Sequence, residues 1–187
     1  MAATPSTMMP IGTRAPGFNL IDTVSGRMLG LEDVKGEKAT VVMFICNHCP
    51  YVKAIEDRIL RLARQMQTQP VQFVAVCSND ASDYPEDEPD NLYKTWKEKN
   101  YPFPYLVDAD QSLARSFDAV CTPDIFVLDK ERRLHYRGRW DDSWKDEAQV
   151  QRQDLKLAIE SLLTKRPLDF KPVPSMGCSI KWKDNSL

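Results

Sequence analysis

The chain has 187 residues, 42% of them hydrophobic, and a net charge of −2, which suits one domain with a full core and gives no basic field for nucleic acid. Nowhere do eighteen apolar residues run together, as a membrane span requires, and Met1 to Pro10 has neither a basic start nor a continuous apolar stretch of the kind a signal peptide carries. No membrane association is expected, and the five cysteines, an odd number with no stapling framework, fit a reducing, cytoplasmic setting.

In chain order, residues 1–13 read as a loose N-terminal arm, 14–165 as the domain and 166–187 as a C-terminal tail. Ala15-Pro16-Gly17-Phe18-Asn19-Leu20 followed by Ser25-Gly26-Arg27 predicts a short hairpin turned at Ser-Gly. The run Ala39 to Ile45 predicts the first strong strand. Directly after it come Cys46-Asn47-His48-Cys49, and from Pro50 onward Val52, Ile55, Ile59, Leu62, Ala63 and Met66 recur at helical spacing. Two thiols three apart at a strand-to-helix junction lie close enough to join. The helix start supplies unpaired N–H groups and about half a positive charge. A cysteine so placed has its pKa drawn from ~8.5 into the range of roughly 3.5–7.5, and the thiolate is the reactive species. A zinc site would need a second such pair or a spaced histidine pair, whereas Cys77, Cys121 and Cys178 are single and the other histidine is His135. A purely structural disulfide closing so small a loop would constrain the unfolded chain little. Thiol–disulfide chemistry is therefore the first reading, with no metal and no cofactor.

Val71 to Cys77 predicts a second strand, parallel to the first across a right-handed crossover. Asn79 to Asp90 carries six acidic residues and two prolines without a base, and reads as a solvated loop. Leu92 to Lys99 predicts a helix, Tyr105 to Val107 a short strand, and Ser112 to Phe117 a short helix. Ile125 to Leu128 and Leu134 to Gly138 flank a charged turn and predict an antiparallel hairpin. Leu155, Ala158, Ile159, Leu162 and Leu163 give a last amphipathic helix ended by Pro167. The tail is expected to dock through Ile180 and Trp182.

This α/β order resembles the thioredoxin-like fold, a central mixed β-sheet flanked by helices, over residues 12–165. Within it the chain is similar to the redoxin branch, which contains the AhpC/TSA proteins and the TlpA-like thiol-disulfide reductases. Val120-Cys121-Thr122-Pro123-Asp124-Ile125-Phe126-Val127-Leu128-Asp129 and Tyr136-Arg137-Gly138 look like the Gly-Thr-Pro-Thr-x-Phe-x-Ile-Asp and Tyr-Arg-Gly segments of those reductases. The resemblance implies a cis Thr122–Pro123 bond facing the redox cysteines, an insertion before that loop, and a third sulfur, Cys121, where the family has glycine. The ungapped match places Cys49 on the family's nucleophile and leaves Cys46 as the resolving thiol, with the ordinary CxxC order, first cysteine as nucleophile, as the alternative. Peroxiredoxins give the same register, their Thr-x-x-Cys-Pro matching Cys46 to Pro50. Their threonine is Cys46 here, however, and their arginine is Pro123, so both peroxide-positioning groups are replaced.

Around the pair, His48 is expected to stabilise a thiolate or accept its proton, Asn47 to donate to a sulfur or favour the turn, and Lys53, one turn into the helix, to lower a thiol pKa. Cys77 reads as inert and buried. Tyr51, Trp140 and Trp144 are candidates for an apolar lip. The implied function is a thiol-disulfide oxidoreductase acting on a disulfide-bearing protein or a small-thiol substrate and recycled by a thiol reductant, as a monomer or weak dimer. A thiol peroxidase and a non-catalytic redox switch are the alternatives, and Cys178 is a candidate extra thiol.

Overall fold

The computed structural model describes residues 3–183; residues 1–2 of the expected arm and 184–187 of the expected tail lie outside them. The chain runs β1 (Ala3–Pro5), β2 (Asn19–Asp22), β3 (Met28–Gly30), α1 (Leu31–Val34), β4 (Ala39–Phe44), α2 (Pro50–Met66) and β5 (Val71–Cys77). A single 3-10 turn (Pro85–Asp87) leads into α3 (Pro89–Lys99), β6 (Tyr105–Val107) and α4 (Ser112–Ser116). Then follow β7 (Cys121–Thr122), β8 (Asp124–Asp129), β9 (Leu134–Arg137), α5 (Asp154–Thr164) and β10 (Met176–Ser179).

Seven strands form the main sheet in the order β3-β2-β6-β5-β4-β8-β9. β4 pairs parallel with β5 and antiparallel with β8, so the sheet is mixed, and the two central runs are apolar because both faces are covered. Alternation along β4 divides the core. Val41, Met43 and Ile45 face the side where α2 packs through Val52, Ile55, Ile59, Leu62, Ala63 and Met66. Val42 and Phe44 face Leu31 and Val34 of α1 and Leu113 and Ala114 of α4. The 3.6-residue period of α2 and the two-residue period of β4 therefore meet at one buried surface, which fixes the junction between them.

Two sequence expectations are corrected. The hairpin exists, but its strands are Asn19–Asp22 and Met28–Gly30 rather than a strand from Ala15; Asp22 closes the turn by accepting from the Ser25 N–H and hydroxyl. The expected loose arm instead contributes β1. It joins β10 and β7 in a second, three-stranded antiparallel sheet, with Ala3 opposite Cys178 and Cys178 opposite Thr122. The tail lies on the domain: Ile180 is buried and its N–H donates to Val120 O, while Arg115 sits 4.4 Å over the half-buried Trp182 ring.

Candidate active site

Four segments converge at the start of α2. Cys46 to Cys49 leave β4, and Cys49 is the N-cap of α2 with Pro50 at the first helical position, where a missing N–H costs nothing and the fixed φ suits the helix. The Lys53 N–H donates to Cys49 O at 3.0 Å and closes the first turn. Across from this turn the Thr122–Pro123 bond is cis. Thr122 touches both sulfurs: its carbonyl oxygen is 3.0 Å from Cys49 Sγ and its hydroxyl 3.4 Å from Cys46 Sγ. Both cysteines are buried and all five are free thiols.

The two thiols are electrostatically unlike. The neighbouring Cys46 thiol lowers the Cys49 pKa most, and with the Thr122 hydroxyl, the Val52 backbone N–H and the Cys178 thiol it outweighs burial, so the pKa falls to about 4. One contact opposes this, because a thiol can donate to Thr122 O and a thiolate cannot. The downward direction holds because several donors converge on one sulfur at a helix start. Cys46 moves the other way: burial, its role as donor to Cys49, and the nearby Asp87 charge push its pKa well above the usual thiol value.

His48 and Asn47 do not act as their positions in the sequence suggest. His48 Nδ1 lies 2.6 Å from Asp87 Oδ2 and 3.6 Å from Cys46 Sγ, so the ring addresses Asp87 and Cys46 rather than Cys49. Asn47 points away from the sulfurs and donates to Glu86 O, Asn91 O and Thr95 Oγ1, tying the loop to the segment before α3. Lys53 is exposed and forms no ion pair or hydrogen bond with either sulfur among the described residues. Cys121 turns its thiol to Pro123 O at 3.7 Å, and burial raises its pKa. Burial likewise raises that of Cys77, at the end of β5.

Asp87 is the site residue that sequence reasoning missed. The expected solvated loop is exposed at Asp83, Glu86, Glu88 and Asp90, but Asp87 is buried. Its Oδ1 accepts from the Asn47 and His48 backbone N–H groups at 2.8 and 3.1 Å, and its Oδ2 from Asn79 Nδ2 at 2.8 Å. Burial works against this carboxylate, yet bonds from His48 and Asn79 hold its pKa below the ordinary value. The Tyr84 ring stacks on His48 at 4.2 Å. The available signal is that Asp87 alone in this run ends a 3-10 turn begun by proline. Under the cis loop, Arg137 is fully buried and grips Asp124 through Nε and Nη2, which gives the Tyr-Arg-Gly segment its physical reason.

Cys46 Sγ, His48 Nδ1 and Asp87 Oδ2 lie within 4.8 Å of one another. A metal there would have to displace the proton that Nδ1 shares with Asp87. Two depressions flank the pair. One, between α2 and α3, is lined by Cys46, Asn47, Lys53, Lys94 and Lys99; the other, beside Pro123, by Ile55, Trp140, Trp144, Val173 and Met176. Tyr51 packs on Trp144 at 4.2 Å.

The family model described as AhpC/TSA matches residues 11–137. The chain belongs to the AhpC/TSA family. Among solved structures, this AhpC/TSA chain is 46% identical to an uncharacterized conserved protein from Geobacillus kaustophilus, covering 100% of this chain and 99% of that one with a TM-score of 0.95. It is 38% identical to a hypothetical protein from Sinorhizobium meliloti 1021, covering 97% and 100% with a TM-score of 0.92. Peroxidoxin BcpB from Mycobacterium tuberculosis, 18% identical over 85% of this chain and 99% of its own, shares the fold with a TM-score of 0.64. No curated protein matches this chain in sequence. Membership of the AhpC/TSA family makes thiol redox chemistry, disulfide exchange or peroxide reduction, the general class of activity. No described helix is long and apolar enough to cross a membrane.

Proposed function

We propose that the protein is a thiol-disulfide oxidoreductase in which Cys49 is the nucleophile and Cys46 the resolving thiol. The observation that carries this is the asymmetry of the pair: Cys49 caps α2 and collects donors, while Cys46 faces the Asp87 carboxylate and stays protonated. Cys49 thiolate attacks one sulfur of a substrate disulfide, forming a mixed disulfide and releasing the first substrate thiolate. Cys46, its proton passing toward the His48–Asp87 pair or solvent, attacks Cys49 Sγ. The Cys46–Cys49 bond forms and the second substrate thiolate leaves. An external dithiol reductant then restores both thiols.

The substrate in this reading is a disulfide-bearing protein or a small disulfide, approaching along the depressions beside Cys46 and Pro123. Five free thiols fit a reducing compartment such as the cytoplasm, which supplies the reductant. The test uses glutathione disulfide in one arm and hydrogen peroxide in the other, each with a dithiol reductant. Turnover of the disulfide that is abolished by Cys49→Ser is the expected outcome. Faster, Cys49-dependent peroxide consumption would replace this reading by a peroxidase, and reaction once per chain without turnover would make the pair a switch.

A further inference from the structure

A third thiol meets the pair from the opposite side. Cys178 on β10 stands directly across from Thr122 on β7, and antiparallel partners are about 4.5–5.5 Å apart at Cα. Thr122 is also the residue whose carbonyl touches Cys49 Sγ. Gly177 allows the strand to come this close, because a Cβ there would fall 2.0 Å from Thr122 O. Cys178 is buried in the same cluster as Cys46 and Cys49, and its thiol helps lower the Cys49 pKa. Cys121, the neighbour of Thr122, instead turns to Pro123 O, whereas Cys178, paired with Thr122, shares the face from which the Thr122 hydroxyl reaches Cys46 Sγ at 3.4 Å.

The geometry points to Cys178 as a third redox residue, a second resolving thiol that forms a Cys49–Cys178 disulfide in alternation with Cys46–Cys49. This rests on Cys49 being the nucleophile of the proposed exchange. In the internal step, Cys178 loses its proton and attacks Cys49 Sγ of the Cys46–Cys49 disulfide. The Cys46–Cys49 bond breaks, the Cys49–Cys178 bond forms, the electron pair leaves on Cys46, and Cys46 takes up a proton. One disulfide is exchanged for another, so no oxidant is consumed. Cys178 can equally attack a mixed disulfide on Cys49 and release the substrate thiolate. While Cys49 is a thiolate, burial and that neighbouring sulfur hold the Cys178 thiol protonated, its pKa pushed up to about 12. Once Cys49 is in a disulfide its charge is gone, and Cys178 ionises more readily in the state that needs it.

The test compares Cys46→Ser with Cys46→Ser/Cys178→Ala after reaction with glutathione disulfide, acid quenching, thiol blocking and peptide mapping by mass spectrometry. With Cys46 absent, the glutathione adduct on Cys49 should collapse to a Cys49–Cys178 disulfide. In the double variant the adduct should persist roughly tenfold longer or more, as expected when the attacking thiol is removed. A third variant, Cys46→Ser/Gly177→Ala, keeps the thiol but forces the strand away, and should behave like the double variant. Equal adduct lifetimes in the first two proteins, or a Cys49 link to Cys77 or Cys121 instead, would overturn the role of Cys178 while leaving the Cys49 reading intact. Failure of Cys49 to form any adduct in all three would refute the proposed function itself.

Discussion

Cys49 owes its character to neighbours rather than to exposure. With its pKa at about 4 and that of Cys46 raised, reduction of their disulfide takes up two electrons but one proton at neutral pH. The reduction potential should therefore fall by about 30 mV per pH unit between about pH 5 and 8, steepening to about 60 mV below pH 4, where both thiols are protonated. Potentials measured against a glutathione buffer across that range check this; a slope near 60 mV throughout would mean no thiolate forms. The sign for stability follows: a lowered pKa stabilises the folded dithiol form above the unfolded thiol value, and that contribution is lost as pH falls through about 4. Cys46 and Cys49 were legible in the sequence because spacing, strand run and helical period are all local signals. The role of Asp87 was not, since its partners Asn47 and His48 lie far away in the chain, and a count of charges treats six acidic residues alike.

At the scale of elements, the 3-10 turn Pro85–Asp87 acts as a clamp on the loop between β4 and α2. Asp87→Ala leaves the part-buried Asn47 N–H, the buried His48 N–H and the His48 ring without their acceptor, and each buried orphan costs about 1–3 kcal/mol. Denaturant unfolding should show a loss of at least that size. The same variant removes the charge that helps keep Cys46 protonated, so alkylation of Cys46 should begin at lower pH, while Asp87→Asn, which keeps an acceptor, should recover part of the stability without restoring the pKa. Stability lost with no change at Cys46 would reduce Asp87 to a structural anchor. Strands β4, β5, β6 and β8 were readable from apolar runs alone because the sheet covers them on both faces. β1, β7 and β10 were not, because their two to four residues form no apolar run and they exist only by pairing with one another.

For the whole molecule, the second sheet joins three distant parts of the chain beside Cys49. A protein ending before Pro174 lacks β10, so Cys49 loses its cover and should be alkylated by iodoacetamide faster than in the full chain. It should also lose at least the about 1.5–3 kcal/mol that burying a side chain such as Ile180 supplies. Unchanged labelling and an unchanged melting temperature would remove the tail from any part in the site. The pairing of Ala3 with Cys178 has one more consequence, in time rather than in space. Contacts so far apart in sequence form late, because the long closure between them is rewarded only after the local sheet has assembled. During refolding, therefore, Cys46 and Cys49 should stay open to solvent thiols until β10 docks on β7, and pulsed alkylation is expected to label Cys49 after the main sheet has formed; protection of Cys49 together with that sheet would refute this order.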